Sequence, residues 1–174
     1  MRSSGTWFVV WCVAASVVYG WLHDAVTAQV CPEYFLPPYH PVLIATESPL
    51  ALAAIWGVVA TFWAGLALGV MLALANSLGS ARSFPWRWIT RRLLWGLCGS
   101  LLVAYAILGV VMGLSARIPT EIRQPTFEVD RRLVAVALAH QWSYAATVTW
   151  ACMLMTWIVW KRVKRQGLPT DIPL

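Results

Sequence analysis

The chain has 174 residues, 60% of them hydrophobic and 11% charged, against roughly a quarter charged in an ordinary soluble domain. That composition excludes a soluble globular enzyme and indicates a chain solvated by lipid. Basic residues outnumber acidic ones by 13 to 7, but they cluster beside apolar runs and form no basic face with interleaved stacking partners, which excludes nucleic acid as a partner.

Four runs free of Lys, Arg, Asp and Glu, about 7–22, 49–75, 93–115 and 133–160, predict an all-α membrane protein. A helix needs about 20 apolar residues to cross the hydrocarbon core while pairing its own backbone amides. Three runs are long enough and the first is marginal. The expected architecture is a four-transmembrane-helix bundle, one integral membrane domain over 1–174, with outer loops 23–48 and 116–132 and a tail 161–174.

The first run carries Cys12, Ser16, Tyr19 and His23 on one helical face. Polar groups in lipid turn toward protein or water, so this span is expected to pack inside the bundle. Arg2, the moderate run and Val26-Thr27-Ala28 also fit a secretory signal cleaved after Ala28, which would remove His23 and Asp24. A discarded segment has no use for the polar series.

The segment from His23 to Ser48 has no basic residue and is expected to be a structured outer loop. The second run carries Gly57, Thr61, Gly65, Gly69 and Ala73 at every fourth position, a small-residue strip for close helix packing. The connection after it holds Arg82, Arg87, Arg91 and Arg92, and Lys161, Arg162, Lys164 and Arg165 follow the fourth run. Positive residues stay inside, which puts both termini in the cytoplasm and 23–48 outside. Trp7, Trp21, Trp86, Trp88, Trp157 and Trp160 fall near span ends, at headgroup level.

The third run has a weaker small-residue pattern, Gly109 and Gly113 near Ser100 and Ala104. Its outer loop holds Arg117, Arg123, Arg131 and Arg132 beside Glu121, Glu128 and Asp130, so Asp24, Glu33 or Glu47 could pair with these arginines. The fourth run contributes His140, Gln141, Ser143, Tyr144 and Thr147, with 140, 144 and 147 on one face and 143 alongside. The tail after Arg165 has little to pack.

Chemistry-bearing residues therefore gather at the outer end. His23, Asp24, Glu33, Tyr34, His40, His140 and Gln141 are the expected ligand-binding set, and His23, His40, His140 and Cys31 the candidate ligands of a transition metal such as zinc, copper or iron. No HExxH, paired CxxC or EF-hand spacing supports the metal, and no GxSxG, Walker loop or dinucleotide fingerprint assigns a catalytic residue. The competing reading has His23 capping the first helix, Asp24 starting a turn, and the loop folded over the bundle. Cys12, Cys98 and Cys152 lie in spans and leave Cys31 without a loop partner, which disfavours a thiol oxidoreductase. A transport path is disfavoured because the runs contain no acidic residue. Two functions remain: an outward-facing pocket for a metal or small ligand, and an accessory subunit that packs against a membrane-protein partner or a second copy.

The segment containing His23, Asp24, Thr27, Glu33, Tyr34, Phe35, His40 and Pro41 resembles that of a group of small uncharacterised bacterial membrane proteins with four spans. Ala25 stands where the group's pattern has Gln. The resemblance implies a multi-pass protein of the bacterial inner membrane and attaches no reaction.

Overall fold

The structure, a computed structural model, describes residues 2–79, 82–116 and 125–166. Arg117, Glu121, Arg123 and the tail from Gly167 lie outside the described residues, as do the side chains of Glu128, Asp130 and Arg165. Four long helices form, α1 (Arg2–Val30), α2 (Pro49–Ser77), α3 (Trp86–Ala116) and α4 (Pro125–Gln166), with one turn of 3₁₀ helix at Pro32–Phe35. No strand occurs among the described residues. By length and apolar composition, Gly5–Val30, Pro49–Ser77 and Trp86–Ala116 can each cross a membrane. In α4 the polar group from His140 to Thr147 dilutes the apolar run.

α1 is longer than its apolar run predicts. The helix continues through His23–Val30, so His23, Asp24 and Thr27 lie on its last turns rather than in a loop, and the non-helical connection begins at Cys31. Nothing between Trp21 and Cys31 breaks a helix: there is no Gly or Pro until Pro32, and two alanines favour the state. The Thr27 hydroxyl donates to the His23 carbonyl at 3.1 Å. Asp24 therefore starts no turn. α3 likewise begins at Trp86, before the expected 93, because flanking arginines do not end a helix; the Pro85 carbonyl accepts from the amides of Trp88 and Ile89.

α1 and α2 pack as an antiparallel pair. A Cβ at Gly57 would lie 2.6 Å from the Trp21 amide nitrogen, and one at Gly65 would lie 2.8 Å from Ser16 Cβ. Gly69 faces Cys12 and Val9, while the Thr61 hydroxyl turns back to the Gly57 carbonyl at 2.5 Å. Gly20, on the facing helix, completes this seam; its Cβ would meet the Gly57 carbonyl and Thr61. α3 packs on α4, and Gly96 leaves room for the Trp150 indole, which donates to the Arg92 carbonyl at 2.9 Å. Gly109 and Gly113, in contrast, meet nothing within 4 Å among the described residues, while Ser100 and Ala104 of the same expected face are buried.

The main apolar core lies toward the end with the α2–α3 connection and joins all four helices through residues such as Phe8, Leu72, Ile89 and Ile158. At that end Asn76 clasps Phe84, its amide donating to the carbonyl at 3.0 Å and its oxygen accepting from the backbone nitrogen at 2.8 Å. Arg162 is buried and donates through Nε and Nη2 to the Leu78 carbonyl at 2.9 and 2.6 Å, closing the C-terminal end of α2. It thus acts as a cap and not only as a charged flank. Smaller clusters hold the opposite end: Ala104, Leu108, Ala135, Val136 and Ala139 between α3 and α4, and Ala28, Phe35, Leu52 and Ala53 beneath the 3₁₀ turn.

Candidate metal centre

The polar face of α1 is turned inward from Cys12 to Thr27. Cys12, Ser16, Tyr19, His23 and Thr27 are all buried. From α4 comes a facing pair, Ser143 and His140, also buried. Ser143 shares a hydrogen bond with the Tyr19 hydroxyl. Nearer the helix ends, His140 Nε2 stands 3.2 Å from Asp24 Oδ1.

His23, Asp24 and His140 form one group whose potential ligand atoms all lie within 4.8 Å of one another. Their residues are 2%, 5% and 3% exposed. The His23 ring stands edge-on to His140, with centroids 4.4 Å apart, and lies nearly parallel to the Tyr19 and Tyr105 rings. Neither of its ring nitrogens has a hydrogen-bond partner among the described residues. A buried polar group left unpaired costs about 1–3 kcal/mol.

The tautomer of His140 sharpens this. Its Nδ1 lies 2.9 Å from the Val136 carbonyl, which can only accept, so Nδ1 carries a proton. In the neutral ring the lone pair then sits on Nε2 and points at the Asp24 carboxylate. A proton on Nε2, or one on the Asp24 carboxyl, makes this 3.2 Å contact a hydrogen bond, and a metal ion between the two acceptors would serve equally. A ligand histidine whose other nitrogen donates to a backbone carbonyl is the usual outer-shell arrangement of metal sites. Metal bonds of about 2.0–2.2 Å set ligand atoms roughly 3.4 Å apart in a tetrahedral site. Asp24 and His140, 3.2 Å apart, are close to that spacing, and the ligand atoms of all three residues lie within 4.8 Å of one another.

The connection from Cys31 covers the group. The Tyr34 ring lies 4.7 Å from that of His140 and Phe35 lies 5.8 Å away. His40 is bound to the lid instead of the centre: Nδ1 contacts the Tyr34 carbonyl at 2.5 Å, and the ring packs on Tyr34 and Trp56. Burial, reinforced by the Asp24 carboxylate, raises the pKa of the Tyr34 hydroxyl and keeps it protonated.

Several expected site residues lie elsewhere. Cys31 is buried but bonds Glu33 Oε2 at 3.3 Å, and neither it nor His40 belongs to the three-residue group. Burial first, then the hydrogen bond to Glu33, pushes the Cys31 thiol above its ordinary value. Glu33 is half exposed and reaches Arg132 at 4.0 Å; Arg132 is on α4, which starts at Pro125 and not after an expected loop ending at 132, so this surface pair ties the 3₁₀ turn to α4. Its carboxyl is held below the ordinary range by its own backbone amide, with smaller help from Cys31 and Arg132. Gln141 is exposed, because the helical turn that buries His140 and Ser143 rotates it outward, whereas Tyr144, although partly exposed, keeps its ring edge-on to that of His140 at 6.1 Å. Asp24 is a buried acid on an apolar helix, contrary to the expectation that no span holds one. Sequence reasoning missed Tyr105, which donates to the Leu22 carbonyl at 3.0 Å and walls the His23 ring; a single tyrosine in an apolar run offers no pattern to find it by.

Comparison with protein-family models, curated proteins and solved structures finds no match to this chain.

Proposed function

We propose that the protein is a four-span integral membrane protein of the bacterial inner membrane whose outward end binds a transition metal through His23, Asp24 and His140. The observation that carries this reading is the buried convergence of these three groups with both nitrogens of His23 unpartnered. Two imidazoles and a carboxylate suit zinc, and they are also the donor set of non-haem iron(II) sites. Three protein ligands leave a coordination position open for water or a small ligand. When bound, the metal supplies Lewis acidity at that position. His140 is oriented by the Val136 carbonyl, and Tyr34 and Phe35 exclude bulk water.

The fourth span and the topology belong to the same proposal. The buried polar residues of α4, His140 and Ser143, face the bundle, while Val134, Leu138, Val148 and Met153 are on its exposed side. Basic residues gather around Arg82–Arg92 and Lys161–Lys164, which supports cytoplasmic termini. The resemblance of the 23–41 segment to four-span bacterial proteins supports the same layout.

The test is competition between the purified chain and a chromophoric chelator for Zn²⁺. One equivalent per chain is expected to bind, with binding lost in His23→Ala and in His140→Ala and kept in His40→Ala and Cys31→Ser. Binding that depends on His40 and Cys31 instead would refute the site. Topology is checked separately: in Glu47→Cys an impermeant thiol reagent is expected to react from outside, and reaction only from the cytoplasm would reverse the orientation.

A second reading, an accessory subunit, is favoured by α3, where Gly109 and Gly113 face open space beside exposed Val110 and Leu114. Such a face suits a second membrane helix. A monomer in mild detergent that co-purifies with no membrane protein would count against it.

A further inference from the structure

The opposite end of the bundle has a different unfilled feature. Three adjoining clefts run along α3 and α4. The first, about 870 Å³, is bordered by Arg87, Arg91, Arg92, Trp88, Trp95 and Trp150. A second, about 270 Å³, shares Trp88, Arg92 and Trp150 with it and passes beneath the indole of Trp157. The third, about 430 Å³, continues from Trp95 and Trp150 along Gly99, Val103, Trp142 and Ala146. Among the described residues, no carboxylate borders any of the three.

The charged mouth is held in place. Arg92 lies over the Trp88 ring at 3.4 Å, Trp88 stacks on Trp157 at 4.7 Å, and Trp150 is fixed to the Arg92 carbonyl. Small residues, Gly99, Ala145 and Ala146, keep the apolar continuation open. From Trp95 to Val103 the groove follows α3 for about 12 Å at the helical rise. A cationic mouth at the depth of interfacial tryptophans, leading into a groove with an apolar floor, has the two chemistries of one kind of molecule.

We infer that this groove is a specific site for an anionic phospholipid, whose phosphate is held by Arg87, Arg91 and Arg92 and whose acyl chain lies between α3 and α4. Charge complementarity sets the headgroup, and continuity of the clefts sets the chain. General attraction of basic flanks to acidic membranes needs no groove; this site does. It is independent of the metal centre at the other end.

The test uses the full chain in nonionic detergent, observed by native mass spectrometry with dioleoyl phosphatidylglycerol or dioleoyl phosphatidylcholine added. One phosphatidylglycerol is expected to be retained with a roughly tenfold preference over phosphatidylcholine, the scale of interaction with one or two arginines. Arg87→Gln with Arg91→Gln, both exposed positions, is expected to remove most of the preference. The Arg92→Gln variant adds to that loss where it folds by circular dichroism. Gly99→Leu meets no protein atom at its Cβ and extends into the groove, so it is expected to weaken retention of both lipids while the arginines remain. Equal retention of the two lipids, a preference that survives the arginine pair, or unchanged retention in Gly99→Leu would overturn the site. So would displacement of the lipid by equimolar glycerol 3-phosphate, which would show that phosphate alone is recognised.

Discussion

Asn76 at one end of the bundle and His23 at the other are both polar, fully enclosed and in helices, yet their surroundings differ. Asn76 uses both ends of its amide on Phe84, and Arg162 nearby donates twice to Leu78. His23 is ringed by Tyr19, Tyr105 and His140 and bonds to none of them through its nitrogens. The first end uses polar groups to close the backbone where α2 stops. At the second, the His23 ring is enclosed with no hydrogen-bond partner among the described residues. Burial of a polar side chain is therefore no guide to its role here; whether its hydrogen bonds are met by the protein is the informative distinction.

This contrast can be tested by substitution. The largest stability loss is expected outside both ends, at Gly57→Leu, where the new side chain would enter the Trp21 backbone. Overpacking of this kind costs about 1–3 kcal/mol or more, and thermal unfolding in detergent would report it; an unchanged midpoint would mean that the α1–α2 seam is looser than described. Asn76→Leu comes next, with about 1–3 kcal/mol lost because both buried hydrogen bonds between Asn76 and the Phe84 backbone are removed. His23→Leu, although equally buried, is expected to leave the metal-free protein within about 1 kcal/mol of wild type, since no hydrogen bond is removed. A loss as large as that of Asn76→Leu would make His23 a structural residue and erase the distinction between the ends.

The smallest effect concerns Cys31. Its raised pKa keeps the thiol protonated in the folded chain. A raised thiol pKa contributes stability below the unfolded value, about 8.5, and that contribution fades as pH rises through the folded value. Alkylation at pH 7.5 is accordingly expected to be slower than for a free thiol, and Glu33→Gln, which removes the carboxylate, is expected to speed it. An alkylation rate in the folded wild type equal to that of the unfolded chain would contradict the buried Cys31–Glu33 contact.

Much of the fold is readable in the sequence because lipid imposes length and polarity rules on a helix. The boundaries of α2 follow from one apolar run and Pro49, and the glycine spacing of 57, 65 and 69 marks the face that meets α1. Helix ends are less readable. Charge ends an apolar run without ending a helix, so 23–30, 86–92 and 125–132 read as connections in the sequence although they are helical. At the site, His23 and Asp24 stand out by type, and His140 by being a histidine in an apolar run. Their convergence depends on the rotation of α4 against α1. One residue of rotation separates buried His140 from exposed Gln141, and sequence periodicity does not settle rotation that finely. Cys31 and His40 have the right ligand atoms but find partners locally, in Glu33 and the Tyr34 carbonyl.

Metal content is the most direct measure of whether the unpartnered imidazole has a purpose. Elemental analysis of chelator-free, detergent-purified protein is expected to find close to one transition-metal ion per chain in wild type. In Asp24→Asn and in His23→Ala, each still folded by circular dichroism, that ion is expected to fall to background. A wild type free of metal after growth and purification with added zinc and iron, or equal metal in all three proteins, would contradict the account.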